Sequence, residues 1–205
     1  MRHASVRETS LWLLRHPEPE AAARGRCYGS LDLALSNRGV QHAHSVAKAL
    51  SEKSLAAIYT SPRRRCTEAA AVLAEGRACP VETVEDLREL TFGEFEGRTY
   101  DEIAAQYPDV YRQWMETPTE THFPGGECFS DMCARVLCSA RRLREQHEGD
   151  SIAIVAHGGV NRIVLADAVG MDMAHIFRIG QGYGTLNLIR YFGDDPVVEL
   201  INGVA

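Results

Sequence analysis

The sequence has no hydrophobic run long enough to cross a membrane. Its apolar stretches, such as Ile152–Ala156, are far shorter than the roughly 20 residues that a membrane helix requires. The first ten residues, MRHASVRETS, also lack the apolar core of a secretory signal peptide. These absences predict a protein without a membrane partner, and we expect it to be cytoplasmic.

Paired cysteines are absent as well. The six cysteines include no C-x-x-C pair, and the spacing of Cys128, Cys133 and Cys138 would not place them on one helix face. We therefore interpret all six as reduced thiols that form neither a disulfide framework nor a metal site.

Basic residues are fewer than acidic ones, with 22 Lys and Arg against 28 Asp and Glu, which gives a net charge of −6. This balance argues against nucleic acid or an anionic membrane surface as a partner. A small anionic ligand is still compatible with it, because a few converging arginines can set the local field. The length of 205 residues, with 45% hydrophobic and 24% charged residues, predicts a soluble protein with one domain over residues 1–205.

An apolar run at Leu11–Leu14 is typical of a strand buried on both faces, and it ends at Arg15 and His16 before Pro17. Ligands of open α/β sheets bind beyond the carboxyl ends of the strands. Arginine can hold a phosphate or carboxylate there, and histidine can act as acid, base or nucleophile. The alternative is a strand that ends at the surface with two solvated polar residues.

A second strand is predicted at 56–59, followed by Ser61 as a helix N-cap and Pro62 as the first helical residue. The first turn of that helix would then carry three arginines, at 63–65. Cations oppose the helix dipole at this end, and a bound anion would relieve the conflict. A solvated basic turn is the alternative.

A third strand is indicated at 81–84, and the clearest strand of the chain, Ser151–Ala156, runs into His157. Gly158 and Gly159 would let the backbone approach a ligand before a helix begins at about 160. Arg15, His16, Ser61, Arg65 and His157 would then meet at one sheet edge. Two histidines and two arginines suit phosphoryl transfer: one histidine attacks phosphorus, and the other groups stabilise the charge that develops. A proton donor for the leaving group is missing from this set.

The rest of the chain alternates helices and strands. A helix is predicted after Ser36, and a capping box begins another at Thr99. Residues 99–147 are helical without a strand, which we interpret as an insertion covering one end of a sheet. Gly184–Tyr191 and Val197–Ile201 flank a turn and predict a hairpin. This pattern predicts a three-layer α/β/α fold with a mostly parallel central sheet and an antiparallel edge hairpin.

The ordered motifs LLRHPEP, SPRRRCTEA and VAHGG resemble those of the histidine phosphatase superfamily, the phosphoglycerate mutase-like proteins. The resemblance covers nearly the whole chain. It implies that His16 becomes phosphohistidine, that Arg15 and Arg65 are the family's two arginines and that His157 is its second histidine. The carboxylate of the family's L-R-E motif, the usual proton donor, falls on Glu89. No metal and no organic cofactor is implied.

Two positions depart from the family pattern. The residue after the nucleophile is commonly glycine and is Pro17 here, so it cannot donate a backbone hydrogen bond. The asparagine usually found six residues after the nucleophile is Ala22, which removes one expected phosphate contact.

The segment LRELTFGEFEGRTYDEI is similar to the phosphatase branch, and GRCYGSLDLALSNRG is similar to a loop of α-ribazole phosphatases. Tyr28 and Gly29 match a substrate-contacting position, although Tyr28 could instead be a buried aromatic that pins the loop. Ser61 and Gly158 are further expected substrate contacts. The resemblance implies a phosphomonoesterase acting on a small phosphorylated metabolite, with α-ribazole 5′-phosphate as one candidate. The alternatives are a phosphoglycerate mutase-type phosphotransferase and a non-catalytic phospho-ligand-binding module. The oligomeric state is open, with a homodimer as one option.

Overall fold

A computed structural model of the chain describes residues 7–204 and is built around one six-stranded sheet. The strands, in chain order, are β1 (Glu8–Arg15), β2 (Ala57–Thr60), β3 (Val81–Thr83), β4 (Ser151–Ala156), β5 (Leu186–Phe192) and β6 (Asp195–Gly203). Their order across the sheet is β3-β2-β4-β1-β5-β6. Strands β3, β2, β4 and β1 run parallel to one another. Strand β5 runs antiparallel to β1, and β6 runs antiparallel to β5. The predicted mostly parallel sheet with an antiparallel edge hairpin is confirmed.

Six α-helices connect the strands: α1 (Asn37–Ala49), α2 (Arg64–Ala74), α3 (Tyr100–Gln106), α4 (Pro108–Glu116), α5 (Phe129–Gln146) and α6 (Gly158–Ala168). Two of their N-termini are capped as predicted. The Ser36 side chain accepts a hydrogen bond from Gly39 N at the start of α1, and Thr99 and Glu102 form the capping box of α3. Short 3₁₀ helices lie at Ala21–Ala23, Glu85–Leu87, Gly93–Phe95 and Met173–Arg178.

The helices cover both faces of the sheet, and the two faces bury separate apolar clusters. On one face, Leu14 and Val155 pack with α1 and α2 residues such as Val46 and Leu73. On the other face the cluster combines strand residues with residues of α5 and α6, including Leu11, Leu13, Ile154, Met132, Val136 and Ile163. Burying both faces explains why the central strands are almost continuously apolar, and it confirms the three-layer architecture.

Strands β1 and β4 are neighbours in parallel register, with Leu14 opposite Val155 and Arg15 opposite Ala156. Both strands therefore end at the same level of the sheet, and the residues that follow them lie side by side. Strand β2 joins β4 on its other side, with Thr60 opposite Val155. The register thus brings the residues after three strands together at one edge.

Three details differ from expectation. Helix α2 begins at Arg64 with Arg63 as N-cap, so Ser61 is not its cap. Helix α6 begins at Gly158, because the two glycines form its first turn instead of preceding it. The 3₁₀ helix at Met173–Arg178 was not predicted.

All six cysteines are free thiols. Across residues 7–204, no helix combines the length and apolar character that a membrane crossing needs.

Candidate active site

Two buried histidines lie beside each other at the carboxyl edge of the sheet. His16 follows β1 and is 2% exposed, and His157 follows β4 and is fully buried. Their ring centroids are 5.3 Å apart in an edge-to-face arrangement. The backbone N–H of His16 donates to Ala156 O at 2.9 Å, which extends the β1–β4 ladder by one residue and sets this spacing.

The hydrogen bond of His16 defines its tautomer. Its Nδ1 lies 2.7 Å from the carbonyl oxygen of Pro17, and a carbonyl oxygen can only accept. In the neutral ring the proton is therefore on Nδ1, and Nε2 carries the free lone pair. Nε2 has no hydrogen-bond partner within residues 7–204. The proline that departs from the family pattern thus supplies the acceptor that orients the ring.

His157 has the opposite tautomer. Its Nδ1 lies 3.3 Å from Nη2 of Arg65, which can only donate, so Nδ1 accepts. The proton is then on Nε2, which donates to Ser61 Oγ at 2.7 Å. Ser61 is fully buried behind the histidine and is not among the residues that line the cavity. Its predicted contact with substrate therefore stays a prediction, and its observed partner is His157.

Arg15 and Arg65 flank the histidines and are held by backbone carbonyls. Arg65, which is fully buried, donates through Nη1 to Leu31 O at 2.7 Å and through Nη2 to Gly29 O at 2.8 Å. Arg15 donates through Nη1 to Gln181 O. In both residues Nε is buried and has no hydrogen-bond partner in the described part of the chain. Buried unpaired donors are costly, and an anion bound between them would remove that cost.

The environment keeps both histidines neutral. Burial lowers the pKa of His16 well below its usual value, and the positive charges of Arg65 and Arg15 add to this. The pKa of His157 is lowered in the same way, first by burial and then by Arg65 and His16. A neutral imidazole with a free lone pair is the nucleophilic form, so the geometry and the charges agree.

These neutral histidines should make the protein less stable in acid. The unfolded chain protonates both rings near the usual pKa of 6.5, whereas the folded chain does not. Below about pH 6.5 the unfolded state therefore binds more protons, and the free energy of unfolding falls by up to about 1.4 kcal/mol per pH unit for each histidine. Urea denaturation in phosphate-free buffer, from about pH 8 down to about pH 5, measures this slope.

Carboxylates also contribute to any acid slope, so the histidine share is isolated by substitution. His157→Asn should remove its own part of the slope, and the part that the carboxylates contribute should persist. An unchanged slope in His157→Asn would contradict the assignment of a neutral buried imidazole.

Glu89 reaches the same site from the irregular segment that precedes the 3₁₀ helix at Gly93–Phe95. Its Oε2 accepts from Gly159 N at 3.1 Å, and its Oε1 accepts from Leu90 N at 3.1 Å. A Cβ at position 159 would lie 2.3 Å from Glu89 Oε1, so only glycine leaves room for the carboxyl group here. The structure therefore places Glu89 beside the first turn of α6, next to His157.

These groups open into one cavity of about 300 Å³. Of the residues expected at the site, those that line it are Arg15, His16, Tyr28, Arg65, Glu89, His157 and Gly158. The rest of the wall is apolar and aromatic, formed by Leu90, Phe92, Tyr100, Trp114, Phe129, Met132, Ile176 and Phe177, among others. The cavity thus combines a group of charged side chains with an apolar wall. Such a combination suits a phosphate ester with a carbon skeleton.

Gly29 does not line the cavity, so its expected substrate contact stays a prediction, and its observed contacts are with Glu96 and Arg65. Its N–H donates to Glu96 Oε2 at 2.9 Å and its carbonyl accepts from Arg65. Glu96 also accepts from Ser30 N at 2.8 Å and Phe92 N at 3.0 Å. One carboxylate therefore ties the loop after β1 to the segment that follows Glu89, and the loop in turn holds Arg65.

Gly29→Ala should damage both stability and activity. A Cβ at this position would lie 1.9 Å from Leu90 O, so the loop must shift and Arg65 loses its anchor. We expect about 1–3 kcal/mol of destabilisation in urea unfolding, as for other overpacked sites, and a fall in kcat/KM. Gly25→Ala is the control, because a Cβ there meets nothing within 4 Å and only its positive φ of 68° is strained. Equal effects of both substitutions would contradict this account.

Several cavity residues were missed by sequence reasoning. Tyr183 lies over the Arg15 guanidinium, 4.2 Å from the ring centroid, and its hydroxyl contacts that of Tyr28, whose ring lies 5.2 Å from Arg65. Arg162 follows His157 by five residues, whereas neighbours on one helix face lie three or four residues apart, so the spacing did not indicate it. Tyr183 and the carbonyl of Gln181 lie in a loop without periodicity, and no sequence signal pointed to them.

Ala22, the second position that departs from the family pattern, does not line the cavity. It is exposed in the 3₁₀ helix after β1. Over the range 7–204 there is also no group of three or more His, Cys, Asp or Glu side chains suited to hold a metal ion.

Comparison with known proteins agrees with this fold. Residues 11–203 match the model of the histidine phosphatase superfamily (branch 1). The chain is 31% identical over 180 residues to phosphoserine phosphatase 1 of Hydrogenobacter thermophilus, covering 88% of this chain and 85% of that one. It is 29% identical over 175 residues to the adenosylcobalamin/alpha-ribazole phosphatase of Escherichia coli, covering 84% and 86%. The solved structure of Bacillus stearothermophilus YhfR superposes with a TM-score of 0.91 at 32% identity, covering 96% of this chain and 98% of that one.

The chain therefore belongs to the histidine phosphatase superfamily. Within it, the chain is a phosphoric monoester hydrolase.

Proposed function

We propose that this protein hydrolyses a small phosphorylated metabolite through a phosphohistidine formed on His16. The observation that carries the proposal is the state of His16: it is neutral, its Nδ1–H is bound to Pro17 O and its Nε2 lone pair is free. Arg15 and Arg65, each with an unpaired buried Nε, flank it where an anionic phosphoryl group would sit.

In the first step, His16 Nε2 attacks phosphorus and the bond between phosphorus and the leaving-group oxygen breaks. Arg15 and Arg65 compensate the charge on the phosphoryl oxygens, and His157, buried beside His16, supports the transition state as the second histidine. The leaving oxygen takes a proton from Glu89, the carboxyl group at this end of the cavity. In the second step, Glu89 takes a proton from water, the water oxygen bonds to phosphorus and the P–N bond breaks, which releases inorganic phosphate and restores His16.

Two substrates are candidates. α-Ribazole 5′-phosphate is supported by the similarity of the loop after β1 and by the relative from Escherichia coli. The aromatic wall of the cavity would pack against its base. O-Phosphoserine is supported by the relative from Hydrogenobacter thermophilus. A panel of phosphorylated metabolites containing both, with release of free phosphate as the readout, tests the proposal.

The same residues could serve a phosphotransferase, so the fate of the phosphate is the discriminating measurement. With ³²P-labelled substrate we expect label to appear as inorganic phosphate and, transiently, on His16. Label returned to a second hydroxyl of the substrate would indicate a mutase. A chain that binds phosphate esters without turnover would be a binding module.

Metal independence is a further prediction. Arg15 and Arg65 already supply the positive charge that a metal ion would bring to the phosphoryl group. We expect activity to survive prolonged treatment with EDTA, and vanadate to inhibit, because it mimics pentacoordinate phosphorus. Activity lost on chelation and restored by a divalent metal would contradict this prediction.

A further inference from the structure

Arg162 is a cation that lines the cavity. It extends from α6, is half-buried and donates through Nε to Ile179 O at 2.8 Å. Between residues 7 and 204, neither of its terminal nitrogens has a hydrogen-bond partner, and no carboxylate forms an ion pair with it. Its side chain lines the cavity, so these donors face the space that a substrate would occupy.

The guanidinium of Arg162 also lies close to that of Arg15. A Cβ built on Gly158 would be 3.0 Å from Arg162 Nη1 and 3.4 Å from Arg15 Nε, so the absent side chain of Gly158 leaves room for both groups. Burial and the charge of Arg15 lower the pKa of Arg162. Two neighbouring cations without a carboxylate between them are unfavourable unless an anion binds there.

A phosphate group alone does not compensate the charge of the cavity. Four arginines line it, Arg15, Arg26, Arg65 and Arg162, and Glu89 is its single acidic residue within the described part of the chain. With neutral histidines, and with Glu89 protonated as its role of proton donor requires, four positive charges are in excess. A phosphate monoester dianion supplies two negative charges, so two positive charges are still uncompensated.

The surroundings of Arg162 differ from those of Arg65. Arg65 is anchored to the loop after β1, whereas Arg162 is held by the carbonyl of Ile179 and interacts electrostatically with Glu89, the proposed proton donor to the leaving oxygen. Its guanidinium carbon lies 5.4 Å from the ring centroid of Phe177, in the apolar wall. A group bound to Arg162 would therefore belong to the carbon skeleton that leaves and not to the phosphate.

We propose that Arg162 binds a carboxylate carried by the leaving group, so that the preferred substrates are phosphate esters of small hydroxy acids. This inference rests on the proposed phosphatase function. Of the two candidate substrates above, it favours the one with a carboxylate, O-phosphoserine, over α-ribazole 5′-phosphate.

Two pairs of esters test it, because the members of each pair differ at the carboxylate position. O-Phosphoserine is compared with O-phosphoethanolamine, and 3-phosphoglycerate with glycerol 3-phosphate. We expect kcat/KM to favour the carboxylate in both pairs by about tenfold or more, the usual strength of a charged hydrogen bond. Arg162→Gln should reduce each ratio by about the same factor, and Arg162→Lys, which keeps the charge, should retain most of it.

Arg178→Gln is the matched control, since Arg178 is exposed on the neighbouring 3₁₀ helix and lies outside the cavity. It should leave both ratios unchanged. Wild-type ratios near one would overturn the inference. An equal fall in kcat/KM for all four substrates in Arg162→Gln would also overturn it, because that result would place Arg162 on the phosphoryl group. Turnover of p-nitrophenyl phosphate separates the two proposals. If the protein hydrolyses it while both kcat/KM ratios are near one, only the carboxylate site is rejected. If the protein hydrolyses no ester, the phosphatase function is rejected.

Discussion

Replacing His16 by alanine should lower turnover of every phosphate ester by at least about 10⁴-fold, the scale seen when an enzyme loses its nucleophile. The methyl group cannot attack phosphorus, and the remaining site only binds the phosphate. Within residues 7–204, the side chain of His16 makes one hydrogen bond, to Pro17 O, so we expect the fold to persist. Single-turnover kinetics with ³²P-labelled ester would show acid-labile label on the wild-type protein and none on the variant.

The control for this experiment is His44→Ala, on the exposed face of α1, where the imidazole lies 3.9 Å from a carboxylate oxygen of Glu75. It should retain normal kcat. Circular dichroism and the urea midpoint of His16→Ala must match those of the wild type for the comparison to hold. Near-normal activity in a folded His16→Ala protein would contradict the phosphohistidine mechanism.

The effect of Glu89→Gln should depend on the leaving group. An alkoxide must be protonated as it departs, and an amide cannot donate the proton that a carboxylic acid gives. For alkyl phosphates we expect a loss of about 10²- to 10⁴-fold in kcat/KM, the usual contribution of a general acid. p-Nitrophenolate departs without protonation, so p-nitrophenyl phosphate should lose far less. The measurement is a plot of log kcat/KM against the pKa of the leaving alcohol, which should be steeper for the variant.

Glu127→Gln is a suitable control, because Glu127 pairs with Arg135 at 2.6 Å behind the site and does not line the cavity. It should shift stability without changing the slope of that plot. Equal losses on alkyl and nitrophenyl esters in Glu89→Gln would assign Glu89 to binding or structure. Glu18, in the loop after β1, would then be the next carboxylate to test.

The elements that sequence predicts well are those with strong periodicity or strong caps. The apolar run before His16, the strand before His157 and the capping box at Thr99 are local signals, and the structure has each of them at or within a few residues of the expected place. Because parallel strands end at one edge, the meeting of Arg15, His16, Arg65 and His157 follows from the fold class.

The sequence could not show the contacts that depend on the tertiary structure. Ser61 was expected to cap a helix, a local role, but its hydroxyl accepts from His157, which is 96 residues away in the chain. In the sequence, Glu96 is one of several charged residues in an irregular segment and nothing distinguishes it. In the structure, its carboxylate accepts hydrogen bonds from Gly29 N and Ser30 N and holds the loop there. Tyr183 stacks over Arg15 from a loop without a pattern. Such pairings depend on where loops cross, which periodicity does not encode.

The position of β1 in the sheet has a consequence for biosynthesis. This strand is the first element of the sheet to leave the ribosome, yet its two neighbours, β4 and β5, begin at Ser151 and Leu186. An apolar segment with both edges unpaired must therefore wait while most of the chain is translated, and such edges are prone to aggregate. Translation that stalls before residue 150 would leave His16 without the neighbouring His157. Nascent chains should thus depend on chaperones until β4 emerges, and folding should be slow, as expected for pairing over long sequence separations.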